Sequence, residues 1–142
     1  IEDCIRFGYW AAPKIADGGI MLQPRSRNSK IRIGARTQFS NNVTIIANEE
    51  VTIGCDCRIG DQVTVFDSDF HEIDYRTRDR SVGVVLPVNI GNNVWIGSRS
   101  MILKGVRLGE NTVVGAMSLV TRSFPKNCVV AGVPARLVRT LE

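Results

Sequence analysis

Histidine occurs once in these 142 residues, at His71, within the acidic segment DSDFHEID. Imidazole is the side chain whose ordinary pKa lies nearest neutrality, so a lone histidine among carboxylates is a candidate general base or acid. Asp69 or Glu72 could fix its tautomer, and a backbone carbonyl could do the same. The single copy also limits the chemistry. A mononuclear site rich in histidine would need more than one per chain, or sharing between copies. A Ser–His–Asp hydrolase is compatible with the count, but the sequence has no G-x-S-x-G elbow. Most lone histidines are structural, so the surrounding pattern must decide.

The other reactive groups narrow the field. Cys55 and Cys57 form a C-x-C, too close for a zinc-knuckle C-x-x-C, and Cys4 and Cys128 stand apart. Four cysteines could form two disulfides, but Cys55 and Cys57 read as small residues of a β wall, reduced in a cytoplasmic protein, and no metal is expected. Eighteen Lys and Arg against fourteen Asp and Glu leave a formal charge of +4, which suits an anionic ligand. The basic residues are scattered and the aromatics few, a poor fit to a nucleic-acid platform. No stretch approaches the roughly 18 apolar residues of a membrane span, and the opening does not resemble a signal peptide.

The elements that must position His71 follow from a repeat. Ile and Val number 31 against 15 Leu and Ala, a bias toward strands rather than helices. From Ile90 the chain falls into blocks of six: IGNNVW, IGSRSM, ILKGVR, LGENTV, VGAMSL and VTRSFP. Each opens on an aliphatic residue, and Gly91, Gly97, Gly109 and Gly115 follow four of them. The fifth place is small or branched (Val94, Ser100, Val106, Thr112, Ser118) until Phe124 breaks the rule. An earlier half repeats the theme in IGARTQ and FSNNVT, slips by two residues after Ile45, and resumes with IGCDCR, IGDQVT and VFDSDF. Val84 and Val88 stand in register with the later blocks, so residues 67–83 interrupt the array rather than end it.

A period of six fits neither an α-helix nor a hairpin meander. It fits a short strand plus a corner, three per turn, stacked at roughly 4.8 Å into a triangular prism about 25 Å long. The block-opening aliphatics and the fifth-place residues point inward, and the glycines relieve crowding at each bend. The expected architecture is an all-β parallel β-helix in one domain, 1–142. Residues 1–30 form an irregular lead-in with a turn at Asp17-Gly18-Gly19, 31–125 the coils, and 126–142 a C-terminal segment that could be helical.

The hexads, together with DSDFHEID and the terminal AGVPARLVR, resemble the hexapeptide-repeat acyltransferases, and within them the maltose- and galactoside-type sugar O-acetyltransferases. The resemblance covers roughly Ile31 to Leu141. It implies a left-handed β-helix, acetyl-CoA as cosubstrate, and a homotrimer with sites between neighbouring prisms. His71 falls where that family keeps its catalytic histidine. The positions matching Ser98, Ala116, Thr121, Arg122, Arg136 and Arg139 contact the coenzyme there, with Lys126 a weaker candidate. Arginine can grip phosphate bidentately, though each could equally be a surface charge. On the acceptor side the resemblance implies Trp95, Asp69 and Ser40, the last standing where galactoside-type enzymes carry an asparagine. Asn41 or Asn42 next door could supply that amide instead. The family's helical lid has no counterpart in residues 1–30. DYRTRDRSVG, with Arg76, Arg78 and Arg80, reads as a mobile arm over an anionic or polyhydroxylated acceptor, or as a solvated loop.

The function expected is therefore acetyl transfer to a hydroxyl of a sugar or polysaccharide precursor, direct and within a ternary complex, with His71 as base. The alternatives are an antibiotic O-acetyltransferase, a nucleotide-sugar N-acetyltransferase and a β-helix scaffold without catalysis. A β-helical carbonic anhydrase would need three histidine ligands from two subunits, and one histidine per chain does not supply them.

Overall fold

The computed structural model describes residues 1–8 and 18–142, and its strands wind three to a turn. The first turn holds β1 (Arg6–Phe7), β2 (Met21–Pro24) and β3 (Lys30–Ile33), and the second β4 (Gln38–Phe39), β5 (Thr44–Ala47) and β6 (Glu50–Ile53). The third holds β7 (Arg58–Ile59), β8 (Thr64–Phe66) and β9 (Val88–Ile90), and the fourth β10 (Trp95–Ile96), β11 (Met101–Ile102) and β12 (Arg107–Leu108). A fifth has β13 (Val113–Val114), β14 (Leu119–Val120) and a bridge from Leu108 to Phe124, before β15 (Cys128–Gly132) and β16 (Ala135–Thr140). Like strands stack in parallel as three faces: β1-β4-β7-β10-β13-β15-β16 (face A), β2-β5-β8-β11-β14 (face B) and β3-β6-β9-β12 (face C).

Register turns the hexad pattern into columns of core. Phe39, Ile59, Ile96, Val114 and Val130 lie over one another on face A. Ile45, Val65, Ile102 and Val120 do so on face B, and Ile33, Ile53, Ile90, Leu108 and Phe124 on face C. All are buried, as are the fifth-place residues Val43, Val63, Val94, Val106, Thr112 and Ser118. One coil cannot bury this surface alone, and the stack does. Phe124 breaks the fifth-place rule because it takes the block-opening place in the last turn, two residues early.

The corners show the crowding expected at the glycines, and a left-handed turn that the sequence reading did not assign. The left-handed backbone recurs at the fourth place of the block, at Arg36, Asn42, Asp56, Gln62, Asn93, Arg99, Asn111 and Met117, with Asn and Asp favoured because they tolerate it. Second-place glycine answers that crowding, a close approach of the neighbouring coil. A Cβ on Gly97 would lie 2.5 Å from the backbone nitrogen of Ala116 in the next coil, and one on Gly34 would lie 2.6 Å from that of Cys55. The corner between faces C and A is also stapled by side chains. Arg36 pairs with Asp56 through two 2.7 Å bonds, and Asn93, Asn111 and Asn127 form an amide ladder. The Arg36 guanidinium holds the Asp56 carboxyl below its ordinary pKa.

Three expectations are corrected. The C-terminal segment is not helical: β16 pairs antiparallel with β15 and closes face A. The lead-in is not wholly irregular, since β1 and β2 extend faces A and B through parallel pairing with β4 and β5. Val84 does not re-enter the prism but is exposed, and the coil resumes at Val88. Part of the lead-in, including Asp17 of the expected turn, lies outside the described residues. No helix among the described residues is long and apolar enough to cross a membrane. All four cysteines are free thiols, Cys57 and Cys128 buried in the wall, and burial pushes the Cys57 thiol pKa up.

Candidate active site

The insertion leaves the prism after Phe66, at the corner between faces B and C, and its root is locked from below. Asp67 is buried, and its carboxylate accepts the backbone N–H groups of Asn48, Glu49 and Glu50 at 2.8, 2.7 and 2.9 Å. Those three residues span the slip of the previous coil, so one aspartate satisfies the donors that the slip frees. Phe70 then adopts a left-handed φ of 67°, with its ring 5.1 Å from that of Phe66 and the Arg25 guanidinium 5.0 Å from its centroid. The turn displays His71, whose side chain is 63% exposed. Gly83, at φ +69°, brings the returning chain past the His71 carbonyl, where a Cβ would collide.

Neither neighbouring carboxylate reaches the imidazole. Asp69 accepts a hydrogen bond from Lys104 Nζ at 2.5 Å, across the corner in the next coil, and its Oδ2 is buried with no partner among the described residues. Glu72 is taken by the Ser81 hydroxyl. The carboxylate facing His71 is Asp79, whose Oδ1 lies 3.7 Å from Nδ1, beyond hydrogen-bond range. Within the expected arm, Arg76 is held by Asp74 at 2.6 Å and Arg78 donates to the Ile73 carbonyl, so two of its three arginines are spent inside the loop.

The residues assigned to the coenzyme by resemblance separate into groups. Ser98 and Ala116 stack at the corner between faces A and B, with the Met117 N–H donating to the Ser98 carbonyl at 2.9 Å. The Ser98 hydroxyl accepts from the Asp61 N–H at 3.2 Å. Arg136 pairs with Ala131, which packs against Gly115 one rung above, so it belongs with this corner. Thr121 and Arg122 follow β14 at the other corner, that of the insertion, where Arg122 lies over the Phe124 ring. Arg139 and Lys126 are exposed near the end of the prism. His71 and Ser98 thus leave different corners of the same chain.

On the outside of face A, Trp95 is 55% exposed beside a hollow lined by Gln38, Phe39, Ser40, Arg58, Ile59, Gly60 and Trp95. Ser40 borders this hollow. Asn41 is instead buried toward Gly18, whose added Cβ would strike its amide oxygen. A larger apolar hollow, lined by Leu22, Ile31 and Ile33 among others, sits at the first coils and contains none of the candidate residues. Sequence reasoning missed Lys104, Arg58 and Asp61. Arg58 had a signal, since it holds the sixth place of IGCDCR as Trp95 does in IGNNVW. Asp61, 5% exposed and with Oδ1 unpartnered among the described residues, had none. Among the described residues no group of three or more His, Cys, Asp or Glu could hold a metal ion.

A prism of stacked parallel coils, broken once by a histidine-bearing insertion, defines the left-handed β-helix class. Residues 87–122 match the family model "Bacterial transferase hexapeptide (six repeats)". The chain is 40% identical over 117 residues to a galactoside O-acetyltransferase of Escherichia coli K12, covering 82% of this chain and 57% of that protein. A hexapeptide-repeat acetyltransferase of Vibrio cholerae, solved in complex with acetyl coenzyme A, superposes with a TM-score of 0.75 at 32% identity, covering 88% of this chain and 69% of that one. A polysialic-acid-specific acetyltransferase superposes at 0.72 with 34% identity, covering 79% and 52%. The chain belongs to the hexapeptide-repeat acetyltransferase family, and it spans little more than half the length of the curated relatives it matches first.

Proposed function

We propose that this protein transfers the acetyl group of acetyl-CoA to a hydroxyl of a saccharide, with His71 as general base. The observation that carries this reading is the exposure of the chain's one imidazole on the insertion that breaks an acetyltransferase-family prism. Nδ1 faces Asp79, which leaves Nε2 for the acceptor. Nε2 takes the hydroxyl proton as the oxygen attacks the thioester carbonyl carbon. The C–S bond then breaks, and the imidazolium returns the proton to the departing thiolate. No covalent enzyme intermediate is required, and the developing oxyanion meets a backbone N–H of the wall.

The coenzyme lies along the corner of Ser98 and Ala116, where second-place glycines keep the wall low, with Arg136 above it as a phosphate partner. His71 leaves a different corner, so the complete site forms between copies in a homotrimer. A saccharide acceptor is favoured because the relatives named above include galactoside and polysialic acid acetyltransferases.

The test is free-thiol release from acetyl-CoA with a panel of hydroxyl and amine acceptors. His71→Ala is expected to lower turnover by about 10²–10⁴-fold while coenzyme binding is retained. Full activity in that variant would remove His71 from the mechanism, and release with no acceptor but amines would replace the O-acetyl reading.

A further inference from the structure

Parallel in-register pairing on face A sets Arg6, Gln38, Arg58 and Trp95 side by side on successive rungs, all on the outer surface. Rungs of this kind are about 4.8 Å apart. Arg58 therefore stands between an amide and an exposed indole, on the rim of the hollow that Ser40 and Gly60 floor with small groups. No carboxylate among the described residues forms a salt bridge with its guanidinium, and Asp56 acts on it only through space. Asp56, the nearest acid in sequence, is occupied by Arg36 through two 2.7 Å bonds. Arg58 reaches only the Asp56 backbone carbonyl, at 3.5 Å, the edge of hydrogen-bond range. Asp61 is buried and does not line the hollow.

We propose that the acceptor is an acidic saccharide and that Arg58 binds its carboxylate, with the sugar ring against Trp95. The inference rests on the acetyl-transfer reading and adds the substrate class. A guanidinium presents two parallel N–H donors that match a carboxylate, and an indole offers a flat apolar face with a polar edge. A neutral sugar in this hollow would cover the cation without compensating it, which is unfavourable. The same guanidinium could meet a coenzyme phosphate instead, and the experiment separates the two.

With the full chain at saturating acetyl-CoA, kcat/KM is measured for methyl galacturonoside, methyl N-acetylneuraminoside and neutral methyl galactoside. At least one acidic probe should exceed the neutral one by about tenfold or more. Arg58→Leu should lower the acidic kcat/KM by about 10- to 100-fold, the scale of hydrogen bonds to a charged group. The loss should appear in KM, with the neutral probe and the KM for acetyl-CoA unmoved, and Arg58→Lys should retain part of the preference. Preference for the neutral sugar, equal losses on all probes, or a raised KM for acetyl-CoA would overturn the assignment. Binding of the acidic probes to the coenzyme A-loaded protein is read in parallel by saturation-transfer NMR. Binding that Arg58→Leu abolishes, without transfer to any probe, would uphold Arg58 and sink the acetyl-transfer reading. Absence of binding to the unaltered protein would sink Arg58.

Discussion

A carboxylate two residues before a lone histidine is the natural candidate to orient it, yet Asp69 turns the other way and meets Lys104. The pair is three-quarters buried on both sides, so it fastens the insertion to the prism wall rather than tuning the imidazole. Removing one partner strands the other in a partly desolvated place. Lys104→Met is expected to cost about 1–3 kcal/mol in urea denaturation. Adding Asp69→Asn should recover most of that loss, because the uncompensated charge is then gone. If the two losses simply add, the pair is not coupled. His71 was legible in the sequence because its type is unique. Lys104 was not, because 35 residues separate it from Asp69 and only stacking of the coils brings them together.

Among the elements, the hexad made the faces, the inward columns and the interruption legible, since a residue type recurring at one place in each block must face the same surroundings. That its glycines relieve crowding was legible; which backbone crowds them was not. At Gly97 the space for a Cβ is filled by backbone of the coil above, 2.5 Å away, whereas no described residue lies within 4 Å of one added at Gly19. Gly97→Ala should therefore destabilise the fold by about 1–3 kcal/mol through overpacking. Gly19→Ala should stay within about 0.5 kcal/mol of the parent, and thermal or urea melts of the two compare them directly. Similar effects at both sites would show that the coil above yields. The C-terminal AGVPARLVR carries no such period. Its strand is imposed by the open edge of β15, which a hairpin return covers.

For the whole molecule, the separation of the insertion from the Ser98 corner has a direct consequence. If sites form between copies, the protein should sediment at about three times its 15.7 kDa chain mass. Two defective chains should also complement each other. His71→Ala lacks the base, and Ser98→Trp fills the coenzyme wall, so each alone should be inactive. Co-refolded in equal amounts they should regain about a quarter of the parent activity, because a random trimer places an intact histidine opposite an intact wall in that share of its sites. No recovery would locate both halves of the site in one chain.

Sequence alone determined what repeats: which residues face inward, how many make a turn, where the array breaks and which lone imidazole stands in the break. These are local properties, since each block meets the same environment as the next. Tertiary structure decided what lies across from what. It set Arg58 beside Trp95, turned Asp69 to Lys104, and parted His71 from Ser98 by a corner of the prism, because the pitch of the coil converts separations of roughly twenty to forty residues along the chain into single rungs of about 4.8 Å.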